Sequence, residues 1–291
     1  MSDSIPNSSS RPSSIPRVNK ALLAFFEPIA RWVEEEYFDA EVRGLKRIPD
    51  GPALLVGNHN AGVMIPDSII FYREFAYYSG ELDVHSGELD VPVSLAHQLI
   101  FRIPLLNDLA CSLGIVPASP ENARRAFEEG RKVLVYPGGD WEAMRPSRDR
   151  DRVDFGGRTG FIRLAMEAGV PIVPVVSAGA HDGWHVLTRG ERIARKLKFD
   201  RLLRIKVFPI ALGLPTGLIV GPIAVHLPLP GKIIVEVLEP ICVDGDPEDE
   251  QELQRLYDEI TGQMQSRLDD LVPELPRPGL FQRLKGIARM I

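Results

Sequence analysis

Apolar positions follow two different periods along this chain, and the change between them marks a structural boundary. From Val18 to Tyr37, Leu22, Phe25, Phe26, Ile29, Trp32 and Val33 recur at three- and four-residue steps, which predicts a helix with one apolar face. Such a face either packs on the rest of the chain or rests in a bilayer interface. From Val42 onward, short apolar runs alternate with helical patterns. Ala53–Gly57, Gly114–Ala118, Lys132–Tyr136 and Val170–Val176 read as strands, with helices at Glu121–Gly130 and Arg158–Ala168. This alternation predicts an α/β domain: a mixed, largely parallel sheet flanked by helices and preceded by an N-terminal helical element.

Between Val207 and Pro230 there is no Asp, Glu, Lys or Arg, a length sufficient to span a bilayer. Pro209, Pro215, Pro222, Pro228 and Pro230, with Gly213, Gly217 and Gly221, would break such a helix and leave backbone groups unsatisfied in lipid. Short core strands and turns are the expectation, with a shallow membrane-inserting loop as the alternative. Basic residues precede this run (Arg192, Arg195, Lys196, Lys198, Arg201, Arg204, Lys206). Leu280, Leu284, Ile287 and Ile291 form a stripe beside Arg283, Lys285 and Arg289 at the C-terminus. Both segments are candidate contacts with an anionic membrane, at about 1 kcal/mol per basic residue near the surface. The expected division is a disordered tail at 1–17, an amphipathic helix at 18–40, an α/β domain at 41–271 and a basic amphipathic tail at 272–291.

Composition narrows the classes. The 291 residues carry a net charge of −6, which argues against nucleic acid as a partner. Met1 to Arg17 is rich in Ser and Pro with no apolar segment, so no cleavable signal peptide is apparent. Cys111 and Cys242 lie in apolar surroundings without paired or metal-ligand spacing, and are expected to be buried thiols in a reducing compartment. His85, His97, His181, His185 and His226 form no ligand pattern, so neither a metal nor another cofactor is expected. Internal repeats and a glycine-rich nucleotide fingerprint are absent from the sequence.

Candidate chemistry starts at Asn58-His59, where the run Ala53–Gly57 breaks into a loop ending at Pro66-Asp67. Histidine titrates near neutrality and can take a proton from a hydroxyl. A carboxylate bonded to its other ring nitrogen would fix the tautomer and stabilise the imidazolium. His59 and Asp67 are eight positions apart, so a continuous helix would place them about 80° from each other. Gly62 and Pro66 instead predict a loop that curls back, with Asp67 at the start of a helix through Ser68–Arg73. No serine or cysteine nucleophile stands beside His59, which points to direct attack by a substrate hydroxyl.

Four blocks occur in order: Asn58-His59 to Asp67; Gly114-Ile115-Val116-Pro117-Ala118-Ser119; Tyr136-Pro137-Gly138-Gly139-Asp140-Trp141-Glu142; and Val170-Pro171-Ile172-Val173-Pro174-Val175. Here the chain resembles the lysophospholipid and glycerolipid acyltransferase superfamily, from about Val42 to Val243. Seven residues separate His59 from Asp67, where most members have four; the longer form resembles the branch related to monoacylglycerol and diacylglycerol acyltransferases. Phosphate-recognising members end the second block in an arginine, where this chain has Ala118-Ser119, and follow the third-block glycine with a basic residue. A neutral lipid alcohol is therefore a candidate acceptor, although Arg145, Arg148 and Arg150 lie close enough in sequence to substitute.

The resemblance implies transfer of a fatty acyl group from a thioester, acyl-CoA or acyl carrier protein, to a hydroxyl of a glycerolipid or other lipid alcohol. His59 would be the general base and Asp67 its orienting carboxylate. Backbone amides near Gly138 and Gly139 are candidate oxyanion donors, because glycine allows close approach. Glu142 and Arg145 are candidates for acceptor recognition or for support of the base, and Ser119 for substrate binding or the oxyanion. A membrane surface is the expected partner besides donor and acceptor, with peripheral attachment on the cytoplasmic side. Two rivals remain from the residues alone: a hydrolase using the same dyad on water, and a non-catalytic lipid-binding protein.

Overall fold

A computed structural model of the chain describes residues 14–60, 62, 65–79, 91–199, 206–221, 226–279 and 283. Most of the expected disordered tail, the basic positions 201–205 and all of the C-terminal stripe except Arg283 lie outside these residues. The N-terminal helix, α1 (Lys20–Trp32), is capped by Asn19, whose side chain accepts from the amide of Leu22 at 3.1 Å. It runs into a π-helical turn at Val33–Tyr37. That turn anchors the element: Tyr37 donates its hydroxyl to the carbonyl of Pro228 at 2.8 Å, and buried Glu34 receives Arg73 at 2.7 Å.

Seven strands form the main sheet: β1 (Glu41–Arg43), β2 (Leu54–Gly57), β3 (Val93–Ala96), β4 (Ile115–Pro117), β5 (Val133–Val135), β6 (Ile172–Ala178) and, after the small sheet in sequence, β10 (Ile234–Val237). Their order is β1-β10-β6-β2-β5-β3-β4. Five run parallel, and the β10–β1 pair runs antiparallel to β6. The sheet is thus mixed and largely parallel, as the strand-helix alternation predicts.

Both faces are covered, which is why the strands read as continuous apolar runs rather than alternating ones. Leu54, Val56 and Ile172 pack on one side against α4 (Pro120–Glu128), α6 (Gly160–Ala168) and α8 (Glu250–Leu271). Leu55, Leu134 and Val173 pack on the other, against Ile70, Phe71 and Phe75 of α2 (Pro66–Tyr78). In α8, Leu253, Leu256, Ile260, Met264, Leu268 and Leu271 are buried at the three- and four-residue spacing of a single helical stripe. α3 (Pro104–Ser112), α5 (Gly139–Ala143) and α7 (Glu191–Lys196) complete the described α-helices.

The charge-free run becomes part of a separate antiparallel sheet, β7 (His185–Thr188), β8 (Ile210–Gly213) and β9 (Gly217–Val220). Only one face of it is core. Ala211 and Ile219 are buried while Leu212, Leu218 and Val220 are exposed, the period of two expected of a sheet with a single covered face. The expectation of core strands therefore holds for half of the side chains. No helix among the described residues is long and apolar enough to cross a membrane.

Two further expectations are corrected. Cys242 is exposed and Cys111 half-buried, so neither is a core thiol; Cys111 lies on α3, whose only buried residue is Ala110. In α1 no residue is buried, and Phe25 is 72% and Ile29 58% exposed. The apolar face of this helix points outward, because its contacts with the domain run through Glu27, which meets Arg73 and Tyr77 of α2.

Candidate active site

The carboxyl ends of β2, β5, β3 and β4 lie along one edge of the sheet, where open α/β folds place their ligand crevice. His59 sits two residues beyond β2. Asn58 between them is buried and extends the ladder through its side chain: Nδ2 donates to Ser177 O at 2.9 Å, and Oδ1 accepts from Ser177 N at 2.7 Å. This fastens the chain to the end of β6 and turns the next residue out of the sheet. The half-buried imidazole of His59 lies 5.1 Å from the ring of Tyr136, at 53°. That packing requires Gly57, since a Cβ there would meet the Tyr136 ring at 2.4 Å.

Nδ1 of His59 lies 3.3 Å from the carbonyl of Asn60. A carbonyl only accepts, so this contact selects the tautomer protonated at Nδ1 and leaves Nε2 as the basic nitrogen. The expected direct bond from His59 to Asp67 is replaced by an indirect connection. Asp67, at the start of α2 as Pro66 predicts, accepts from Asn60 Nδ2 at 2.9 Å and from the Ser68 amide at 3.0 Å. The carboxylate thus holds Asn60, and Asn60 presents its carbonyl to the histidine. Burial pushes the His59 imidazole below its usual value, and the charge of Asp67 opposes that shift.

Glu142 and Arg145 lie behind the histidine rather than in the crevice. Glu142 is fully buried; its Oε2 accepts from the His59 amide at 2.8 Å and its Oε1 from the Asp154 amide at 3.0 Å. Burial pushes this carboxyl up to about 7 against the pull of Arg145. Gly138 is what lets it approach, because a Cβ at that position would meet Glu142 Oε2 at 2.4 Å.

The guanidinium of Arg145, 1% exposed, donates to His59 O at 2.6 Å, Glu142 O at 3.0 Å, Arg150 O at 2.7 Å and the side-chain oxygen of Asn60. Arg145 is spent on carbonyl oxygens and cannot grip an acceptor phosphate; of the two roles expected of Glu142 and Arg145, acceptor recognition or support of the base, their bonds to His59 fit the second. Behind Arg145, the buried ring of His181 meets its carbonyl at 2.9 Å. Arg148 points to solvent and Arg150 pairs with Asp182, 3.3 Å away.

Of the glycine amides, Gly139 N–H is committed to Tyr136 O at 3.0 Å, while Gly138 N–H donates to no described residue and is the one left for an oxyanion. Ser119 caps α4, its hydroxyl accepting from the Asn122 amide at 3.2 Å. It also lines a groove of about 220 Å³ with Leu95, Val135, Pro137, Phe161 and Arg158. Sequence reasoning missed Asn60, Tyr136 and Arg158 as members of the site. A second amide beside the histidine was a usable signal for Asn60, but nothing local marked Arg158. Its guanidinium donates to Pro137 O, Gly138 O and Asp140 at 2.9, 2.7 and 3.0 Å, so the groove's cation is already neutralised by a partner.

No group of acidic, His and Cys side chains suited to a metal occurs among the described residues. His59 makes no hydrogen bond to a serine or cysteine among them, and Ser68, a nearby hydroxyl, is bonded to Tyr136. The arrangement is an imidazole whose Nε2 has no partner among the described residues, at the same sheet edge as an open backbone amide, which suits deprotonation of a bound hydroxyl.

Known proteins resemble the chain in sequence and in fold. The family model described as Acyltransferase matches residues 39–178, a span that holds every candidate side chain named above except His181 and Asp182. An uncharacterized protein of Mycobacterium tuberculosis is 30% identical over 258 residues, 87% of this chain and 66% of its own length. The human DGAT1/2-independent enzyme synthesizing storage lipids is 34% identical over 161 residues, 54% of this chain and 45% of its own. The chain thus spans about two thirds or less of these relatives. A crystal structure of the 1-acyl-sn-glycerophosphate acyltransferase PlsC of Thermotoga maritima superposes with a TM-score of 0.50 at 20% identity, covering 86% of this chain and 79% of that one, a likeness of fold. With three of the four sequence blocks at the carboxyl edge of the sheet, the fourth forming β6 beside them, and the family match laid over all four, residues 39–178 of the chain belong to the Acyltransferase family.

Proposed function

We propose that the protein transfers a fatty acyl group from a thioester, acyl-CoA or acyl carrier protein, to the hydroxyl of a glycerolipid or other lipid alcohol. The observation that carries this reading is His59: its Nδ1 is held by the Asn60 carbonyl, its Nε2 has no hydrogen-bond partner among the described residues, and it follows β2 at the same carboxyl edge of the sheet as the open amide Gly138 N–H after β5. Nε2 removes the acceptor proton as the hydroxyl oxygen attacks the thioester carbonyl. Gly138 N–H meets the oxyanion, and as the C–S bond breaks the His59 imidazolium returns the proton to sulfur, releasing thiol and restoring the neutral base. The test is thiol release with purified protein and one long-chain acyl-CoA, with and without lipid alcohol. Acceptor-dependent release with formation of ester supports transfer; equal release without acceptor assigns the protein to the hydrolases.

A neutral acceptor is part of the proposal. Second-block Ala118-Ser119 supplies no charge, and Arg158 is neutralised by Asp140 and two carbonyls. Initial rates on matched acceptors are expected to be higher for a neutral monoacyl or diacyl glycerol than for its phosphorylated counterpart, with glycerol 3-phosphate and inorganic phosphate competing poorly. Faster acylation of the phosphorylated lipid would return the chain to the phosphatidic-acid branch.

Peripheral membrane attachment is also part of the proposal, and the exposed surface supports it. Phe25, Ile29 and Trp32 of α1 and Leu105, Leu106 and Leu109 of α3 are exposed, and the two helices meet where the Asn19 amide donates to Ser112 O at 2.8 Å. Apolar side chains grouped in this way suit the interfacial zone of a bilayer. Phe25→Asp with Leu105→Asp is expected to lower partitioning onto vesicles by roughly tenfold or more, because each buried side chain of this size is worth about 1.5–3 kcal/mol. Activity toward a short, water-soluble donor should stay near wild type. Unchanged cosedimentation of the double variant would remove this face from the contact and leave the basic segments around Arg192 to carry it.

A further inference from the structure

A second cleft, of about 630 Å³, is lined by residues of the small sheet and by Arg277, Pro278 and Arg283. Its size is that of a small-ligand site, typically about 300–1,000 Å³. Its lining is of two kinds. Leu212, Leu214 and Leu229 form an apolar one. The other is a cluster of three guanidiniums, Arg150, Arg277 and Arg283, around the buried carboxylate of Asp182.

Charge at this cluster does not balance. Arg277 Nε donates to Asp182 Oδ2 at 3.1 Å and its Nη2 to Asp151; Arg283 Nη1 donates to Asp182 O at 2.6 Å while its Nη2 comes no closer than 3.8 Å to the carboxylate. Arg150 brings only Nε to the two aspartates, at 3.3 and 3.8 Å, and its Nη groups donate to no described residue. Three cations thus share two carboxylates, and at least one planar fork faces the cleft with donors to spare. A staple for the C-terminal segment would need one arginine on Asp182, with no open donors.

Trp184 supplies an independent observation. It lines the cleft, 2% exposed, and its indole N–H has no partner among the described residues. A buried donor left unsatisfied is costly, and an oxygen of a bound molecule would relieve it. The same ring stacks on His226 at 4.3 Å and lies against Gly62, where a Cβ would meet it at 2.9 Å. One wall of this cleft is therefore also a support of the catalytic loop.

We propose that this cleft binds an anionic amphiphile, its head on Arg150, Arg277 and Arg283 and its chain along Leu212, Leu214 and Leu229. A carboxylate and a phosphate monoester present the same fork-compatible oxygens, and the experiment separates them. Trp184 is the reporter. Full-length protein is titrated, below their critical micelle concentrations, with 9,10-dibromostearic acid, with its lysophosphatidic acid ester and with its neutral monoacylglycerol, and quenching of tryptophan emission is read.

Saturable quenching by one or both anions, at least tenfold tighter than by the neutral lipid, is expected. Saturation by the acid alone assigns a carboxylate head, and by the ester alone a phosphate head. Arg277→Gln with Arg283→Gln should weaken the anion about tenfold or more, and Trp184→Phe should abolish most of the quenching. Since the double variant can release the C-terminal segment, Leu212→Asp, which leaves the arginines intact, is the second arm and should weaken the long-chain anion similarly. Equal affinity for neutral and anionic lipids, quenching that survives Trp184→Phe, or unchanged affinity in Leu212→Asp each overturns the proposal.

Discussion

Replacing His59 by alanine is expected to lower acyl transfer by roughly two to four orders of magnitude, the scale of a positioned general base, with little change in melting temperature. The side chain is half-buried and its one hydrogen bond is a 3.3 Å contact to a neighbouring carbonyl, so the fold depends little on it. The pH profile carries the same prediction in another form. Burial lowers the pKa of His59 from its usual 6.5, so the neutral, basic form persists as pH falls through that value. The acid limb of kcat/KM should therefore lie below pH 6.5. Asp67→Asn removes the charge that opposes this shift, and should move the acid limb lower still while reducing turnover through a looser Asn60. Near-normal transfer by His59→Ala, or an acid limb above 6.5, would sink the assignment of the base.

Arg145→Met is expected to cost about 3–5 kcal/mol of stability, on the order of 10 °C in Tm for a chain of this size. The estimate follows from what the substitution strands. His59 O, Glu142 O, Arg150 O and the Asn60 side chain lose their donor, and buried Glu142 loses the neighbouring charge that favours its ionised form. Lysine should not rescue it, because a single ammonium cannot reproduce a planar fork that reaches four carbonyl oxygens. Activity should fall together with stability, since the lost bonds set the positions of both His59 and Asn60. Calorimetric unfolding decides the matter: a loss under about 1 kcal/mol would mean that the carbonyls find water and that Arg145 is not the keystone of the loop.

Much of the site was legible before any coordinates. His59 at a strand exit and Asp67 at a helix start are local facts, set by an apolar run ending in Gly57 and by Pro66, which cannot follow a helical residue comfortably. For Glu142 and Arg145 the sequence left two roles open, acceptor recognition and support of the base, and could not choose between them. A charged residue after a glycine pair reads as solvent-facing or ligand-facing, and only the packing of α5 beneath the loop turns both side chains inward. Arg158 was invisible for the opposite reason. It reaches Pro137 and Gly138 from about 20 positions away, across a turn whose course no periodicity encodes.

The sequence by itself determined the class of fold, four of the seven strands of the main sheet, the place of His59 after a strand and of Asp67 at a helix start, and the family resemblance, because each rests on short-range periodicity, turn chemistry or a local motif. Tertiary structure alone decided which groups touch. It put Asn60 between His59 and Asp67, buried Arg145 under the backbone, gave Glu142 the His59 amide and left Gly138 N–H open. It also turned the apolar face of α1 outward. A helical period records that a face is apolar but not which medium meets it; that depends on whether other elements close over it, and around α1 none of the described ones does.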